Sequence, residues 1–331
     1  MKYFKNLFLK IYGYFHKRYH HLIYGQCVVL LYHRVTNLQF DPQLLAVSPK
    51  NFDSHLRFLN KKYNLITIEE LVEYLTTNKR IPKNSVAITF DDGYADNYLE
   101  AIPILEKHSS QALFYIMSGN LNTANEYWWD KVERIFYFSS NTPSENSLCI
   151  DEKEFDFSNW SNFKRDIIYN ELLPLFRRMN SQKRDNYINQ LGEIFNIVSN
   201  RESHRSLTFD ELKLMSLSES AIIACHTDLH PSLASLSYDE QKNEILSSKN
   251  KIEEIINKPV VHFSFPFGTI SDYNEDTLKI CKELNFKIVA ANHPAVVNKR
   301  VNSQHFPRFL VRDWNALEFE RNIEYFYKSK S

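Results

Sequence analysis

Asp91 and Asp92 stand side by side in Ile88-Thr89-Phe90-Asp91-Asp92-Gly93, at the end of the apolar run 86–90. Such a run reads as a buried strand. A carboxylate taken out of water unpaired is strongly disfavoured, so this pair needs compensation. An Asp-Gly turn that caps the next helix would be the plain explanation. A second cluster argues for more. The run 221–225 leads into His226-Thr227-Asp228-Leu229-His230-Pro231. Two imidazoles four residues apart, starting at a strand end, can turn toward one centre and hold zinc or a similar divalent ion. Neighbouring residues of a regular strand point to opposite faces. A strand end loosened by Gly93 lets both carboxylates reach one site, one to bind a metal and the other to take a proton.

The elements that must position these groups follow from periodicity. Strands are expected at 27–33, 86–90, 112–117, 221–226, 260–265, 287–291 and 309–311. Thr67-x-x-Glu70, Thr208-x-x-Glu211 and Ser237-x-x-Glu240 are helix-start signatures, and Ile245, Ile252, Ile255 and Ile256 form a stripe behind the last. Strands alternating with helices predict an α/β fold with parallel strands and crossover helices, as a barrel or an open sheet. In either, the C-terminal strand ends share the face on which sites are built. The alternation stops between 120 and 205, a polar, aromatic stretch without a strong strand that contains Tyr127-Trp128-Trp129-Asp130. It reads as a mainly helical insertion between 26–119 and 206–327.

Forty acidic and forty basic residues cancel, which gives no reason to expect a nucleic-acid partner. Cys27, Cys149, Cys225 and Cys281 have no paired spacing and read as reduced core thiols. Residues 1–25 mix aromatic and aliphatic side chains with Lys2, Lys5, Lys10, Lys17 and Arg18, too often interrupted by charge for a secretory signal or a spanning helix. The stretch could lie on an anionic membrane surface as an interfacial helix, or pack on a protein surface. A cytoplasmic location, at or near the inner membrane face, is the expectation.

The ordered motifs Thr-Phe-Asp-Asp-Gly (89–93), His-Thr-x-x-His-Pro (226–231) and Phe-Pro-Phe-Gly (265–268) resemble the metal-dependent polysaccharide deacetylases, the NodB-homology enzymes of carbohydrate esterase family four. The likeness extends to Leu-Leu-Tyr-His-Arg-Val (30–35), the Trp-Trp-Asp of the insertion and Phe-Pro-Arg-Phe-Leu-Val-Arg-Asp-Trp (306–314), so it spans roughly 27 to 320. It implies a distorted (β/α) barrel of parallel strands and a divalent metal, usually zinc. By motif, Asp92, His226 and His230 would be the ligands and Asp91 the general base, with the metal and the backbone N–H near Phe267 as candidates to hold the oxyanion. His33, after the first strand, is the candidate acid for the departing amine, with His293 its rival; a reference pKa of about 6.5 suits that role.

Two departures stand out. Ser264 occupies the place where many members carry an arginine that orients the base, and Phe267 replaces a tyrosine. Arg308 could supply the missing guanidinium with a two-pronged grip on Asp91, or form an exposed pair with Arg312. Asp313 could orient His33, and Tyr94 could line the mouth. Trp128 and Trp129 could stack on sugar rings, though packing of the insertion onto the barrel is the commoner use of such residues. The expected activity is removal of N-acetyl groups from a sugar in a glycan or a lipid-linked precursor. A non-catalytic carbohydrate-binding homologue, and a hydrolase of formyl or O-acetyl groups, are the alternatives.

Overall fold

A computed structural model describes residues 25–328 except 78, 140, 141 and 198. The segment assigned to 1–25 therefore lies, Gly25 apart, outside the described residues, and with it the expected membrane contact. Among the described residues no helix is long and apolar enough to cross a membrane.

All seven apolar runs form strands. In chain order the strands are β1 (Cys27–Tyr32), β2 (Arg34–Val35), β3 (Ala46–Val47), β4 (Asn64–Leu65), β5 (Ser85–Phe90), β6 (Ala112–Ile116), β7 (Ser147–Ile150), β8 (Lys153–Asp156), β9 (Ala221–Cys225), β10 (His262–Ser264), β11 (Ile288–Ala290) and β12 (Phe309–Leu310). The main sheet runs β11-β10-β9-β6-β5-β1-β12, with β4 added beside β5. Every pairing in it is parallel, from Cys27 opposite Ser85 to Ile116 opposite Cys225. Phe306 bridges Ala290 in parallel, and Phe309–Leu310 then pair with Leu30–Leu31, so the segment 306–310 links the two edges of the curled sheet. The result is a distorted (β/α) barrel.

Helices cross between the strands and cover the sheet. All three sequence-read capping boxes form: the Thr67 hydroxyl accepts the Glu70 N–H at 3.0 Å while Glu70 accepts the Thr67 N–H at 2.7 Å. Asn274 and Thr277 make a fourth, which the Ser/Thr-x-x-Glu pattern does not detect. Ile245, Ile252 and Ile256 of the helix Tyr238–Ile256 are buried in the barrel core.

Residues 120–205 contribute the helices Trp128–Tyr137, Asn162–Arg177 and Ser181–Ile194, packed around a separate apolar cluster that also takes in Tyr94 and Met117. Contrary to expectation this stretch holds strands, the antiparallel hairpin β7-β8. Its turn residues Asp151 and Glu152 both have positive φ, 53° and 68°, as a two-residue turn between twisted strands requires. Asp-Glu lacks the glycine that usually marks such a turn. The exposed Cys149 sits on this hairpin, so the reading as core thiols fits Cys27, Cys225 and Cys281 only; all four are free.

Candidate active site

The Asp91 N–H still donates to Tyr32 O at 3.0 Å, extending the β1–β5 pairing by one step. The chain then leaves the strand at Asp92 and Gly93, with φ of 77° and 82°. A Cβ on Gly93 would lie 3.0 Å from the Ile116 side chain, so both conformation and space favour glycine. Tyr127 Oη and the Met117 N–H donate to the Asp92 carbonyl at 2.9 and 3.1 Å and fix the bend.

Across the β9 end, Asp92 Oδ1 lies 3.6 Å from Nε2 of both His226 and His230. One donor atom from each of the three residues falls within 4.8 Å of the others, and all three are buried. His226 Nδ1 is 2.8 Å from the Ser264 carbonyl, which takes its proton and leaves the Nε2 lone pair facing Asp92. His230 Nδ1 is buried without a hydrogen-bond partner. Burial lowers the pKa of both imidazoles, which keeps them neutral as metal ligation requires. Burial, and then the charges of Asp91 and Asp130, push the Asp92 carboxyl well above its ordinary value. A buried carboxylate facing two neutral imidazoles is a donor set that fits a divalent cation, whose charge would reverse that rise.

Asp91 has a different environment. Arg308 Nη1 and Nη2 donate to its two carboxylate oxygens at 2.6 and 2.8 Å. Arg308 is itself fully enclosed and donates through Nε to Ala291 O at 3.1 Å. Burial would raise the Asp91 carboxyl, but Arg308, His226 and His33 outweigh it and hold the carboxyl below the usual range. Ser264, which sequence reasoning noted only as a departure, orients His226 and brings its hydroxyl to 3.5 Å from Asp91.

The other sequence candidates divide. His33, Trp128, Trp129 and Phe267 line the same cavity as both aspartates and both histidines, a space of about 440 Å³. Burial pushes His33 down to about 4, so the reference value of about 6.5 does not apply inside the site. His293 is exposed and does not line the cavity. Asp313 does not reach His33; its carboxylate accepts the Ser48 N–H at 2.8 Å and Asn51 Nδ2 at 2.7 Å, tying down the start of the helix Pro49–Lys62. Tyr94 is fully buried behind the wall rather than at the mouth. It donates to Asp130 at 2.8 Å and accepts from Trp129 Nε1 at 2.7 Å, which sets the indole. Trp129 packs 4.7 Å from the His230 ring. Both tryptophans are therefore packed and cavity-lining at once.

Sequence reasoning missed Leu173, Pro174 and Arg177 from the insertion and gave Arg312, after β12, only a place in an exposed arginine pair; all four line the cavity. Arg177 donates to the buried Asp272 at 2.9 Å and lies over the Phe267 ring at 4.1 Å. No short motif carries the three insertion residues; the Arg177–Asp272 contact spans 95 positions of chain.

Four residues of the site have left-handed backbones: Asp92, Thr227 (φ 65°), His230 (54°) and Phe267 (60°). At Phe267 the Gly268 N–H returns to Pro266 O at 2.6 Å, closing a three-residue turn of the rare positive-φ form. No backbone partner takes the Phe267 N–H among the described residues.

Residues 78–139 and 192–289 match the family described as polysaccharide deacetylase. The interruption between the two matched segments falls inside the insertion. Over 94 residues the chain is 33% identical to YxkH of Bacillus subtilis, which is named after the polysaccharide deacetylases; the alignment covers 28% of this chain and 32% of that one. Over 123 residues it is 28% identical to a poly-beta-1,6-N-acetyl-D-glucosamine N-deacetylase of Staphylococcus aureus, covering 33% and 42%. The chain thus spans less than half the length of these curated relatives. The Streptococcus pyogenes deacetylase PplD, solved with acetate, superposes with a TM-score of 0.59 at 19% identity over 90% of this chain and 98% of that one. IcaB of Ammonifex degensii gives 0.59 at 18% over 91% and 97%. These solved structures share the fold. With the family match spanning both the aspartate pair and the histidine pair, the chain belongs to the polysaccharide deacetylase family.

Proposed function

We propose that this protein is a metal-dependent amide hydrolase that removes N-acetyl groups from a sugar within a glycan or a lipid-linked glycan precursor. One observation carries the reading: a carboxylate gripped by Arg308 stands next to a carboxylate and two neutral imidazoles, in a single cavity. Asp92, His226 and His230 would hold the cation, and a mixed oxygen–nitrogen set of this kind suits zinc. A bound divalent cation supplies Lewis acidity toward the amide carbonyl and toward water.

Asp91 is the group that takes the proton of the attacking water. Arg308 holds its oxygens in place and keeps the carboxyl ionised at neutral pH. His33 returns a proton to the departing amine nitrogen. At neutral pH its imidazole starts uncharged, so it must gain a proton before giving one, and the neighbouring Asp91 carboxylate favours the charged form. The free Phe267 N–H is the candidate donor to the developing oxyanion. Trp128, Trp129 and Phe267 offer ring faces to the sugar. Placement at the inner membrane face belongs to the same proposal and is supported only by the residue pattern of the N-terminal stretch.

The test is elemental analysis followed by a product assay. About one divalent ion per chain, lost in the His226→Ala, His230→Ala double variant, is expected. β-1,6-linked N-acetylglucosamine oligomers should then yield acetate and free amine. Formate or a free alcohol from other acyl-sugars would move the reading to another hydrolase. Sugar binding without any product would make the protein a non-catalytic homologue.

A further inference from the structure

Four residues lining the cavity are acidic or basic: Asp91, Asp92, Arg177 and Arg312. Asp91 is matched by Arg308 and Arg177 by Asp272. Asp92 faces the two histidines. Arg312 alone has no carboxylate within ion-pair distance among the described residues.

The surrounding loop holds this guanidinium in a defined orientation. Asp41 accepts the N–H groups of Leu45 and Ala46 at 3.1 and 2.8 Å and folds 41–46 into a tight turn, with Leu44 at φ 56°. The Gln43 carbonyl, 2.9 Å away, and the Leu44 carbonyl both accept from Arg312 Nη1. One nitrogen is thereby spent on the loop. The Nε–Nη2 edge, the other face that can grip an oxyanion with two parallel N–H donors, has no partner among the described residues.

Position adds a second argument. Arg312 lines the active-site cavity and also a neighbouring cavity of about 450 Å³ bounded by Thr36, Asn37, Trp314 and the carboxylates Asp41 and Asp313, so among the described residues it is the one basic residue of that second space. It is half-buried between the two, on the side of His33, whose imidazole feels its charge. A cation there meets whatever part of the substrate extends from the reacting sugar into the second cavity.

We propose that Arg312 is a specificity-determining residue that binds an oxyanion, phosphate or carboxylate, carried by the substrate beside the N-acylated sugar. The inference rests on the deacetylase reading for the identity of that sugar, and it narrows the substrate class to anionic acyl-sugars. A neutral polymer would leave the Nε–Nη2 edge with water alone.

The experiment compares binding of glucosamine, glucosamine 1-phosphate and the carboxylate-bearing muramic acid to the metal-loaded full chain by titration calorimetry. At least one anionic probe should bind ~10-fold more tightly than glucosamine, the ratio expected of a charge-assisted pair. Which of the two does so identifies the oxyanion. In Arg312→Gln the preference should fall to within about twofold, with glucosamine affinity unchanged. Anion held only by the metal would keep its preference in that variant and overturn the assignment, as would wild-type protein that favours neither anion. Should Arg312→Gln fail to fold for want of the loop anchor, Arg312→Lys keeps the charge without the fork, and an undiminished preference there would overturn the two-pronged grip. Failure of the deacetylase reading shows separately, as no acetate from the N-acetylated forms of the same three probes while the Arg312-dependent preference stands.

Discussion

The barrel's strand ends and the insertion build one cavity from different materials. The groups able to move a proton or hold a cation come from the barrel: His33 after β1, Asp91 and Asp92 after β5, His226 and His230 after β9, with Arg308 before β12 holding Asp91 from behind. The insertion brings ring faces, Leu173, Pro174 and one guanidinium already matched by Asp272. It is pinned where it meets the barrel: Arg184 donates to Leu229 O at 3.3 Å, and the Ser232 N–H donates to Arg177 O at 3.2 Å. Parallel hydrogen-bonded strands set reactive groups at fixed distances, whereas a packed wall needs only to fill space and can be rebuilt in many ways. The break in the family match from 140 to 191 falls in that wall.

If the division is real, the largest effects sit on the barrel side. Asp91→Asn should reduce kcat by about 10²–10⁴-fold with metal content unchanged, measured by product assay and elemental analysis together. Residual activity within severalfold of wild type would break the comparison at its centre. Arg308→Gln removes the partner of a buried carboxylate and should lower unfolding free energy by about 3–5 kcal/mol in denaturant titrations. Without the guanidinium, burial prevails and the Asp91 carboxyl rises, so the acid limb of kcat/KM should move to higher pH.

His55, on the helix behind β1, gives a barrel-specific pH response. Its Nε2 lies 2.7 Å from Trp314 O and its ring stacks on Phe319 at 3.8 Å, and burial pushes it down to about 4. The unfolded chain, with a value near about 6.5, takes up the proton first. Stability is therefore full above about pH 6.5 and falls as the pH drops toward 4, by about 3 kcal/mol at most for this residue. Melting temperatures of wild type and His55→Gln across that window should diverge, with the variant falling less. On the insertion side, Arg177→Ala leaves the buried Asp272 without its main cation and should cost about 1–3 kcal/mol. It should raise KM with little change in kcat; an equal loss in kcat would show that the wall takes part in the chemistry and blur the distinction.

The same contrast governs what could be read from the sequence. β1, β5, β6 and β9 are buried across both faces or nearly so, which makes them continuous apolar runs, and the residues after them follow by position. The motif histidines and aspartates were legible for that reason. Asp313 was misplaced because nearness to a strand end says nothing about which neighbour a carboxylate reaches; Ser48 and Asn51 lie closer than His33. Tyr94 was misplaced because a residue just after Gly93 can face either the cavity or the core, and Asp130 and Trp129 draw it inward. Arg177 carries no local signal, and the motif that holds Arg312 does not say which way it faces, since the environment of both is assembled from segments distant in sequence. The β7-β8 hairpin escaped because its turn puts Asp151 and Glu152 where glycine or asparagine would announce it.

The left-handed backbones at Asp92, Thr227, His230 and Phe267 have a consequence for how this protein can be improved. Each non-glycine residue in that region is held about 1–3 kcal/mol above a relaxed conformation by its surroundings. Heat tolerance and turnover therefore pull against each other here. A glycine at Thr227 would ease the backbone while loosening the arc that carries both imidazoles. Selection for thermal endurance alone would tend to accumulate such changes and drift toward a sturdier but slower catalyst, whereas stabilisation sought in the outer helices would leave the reactive arc under tension.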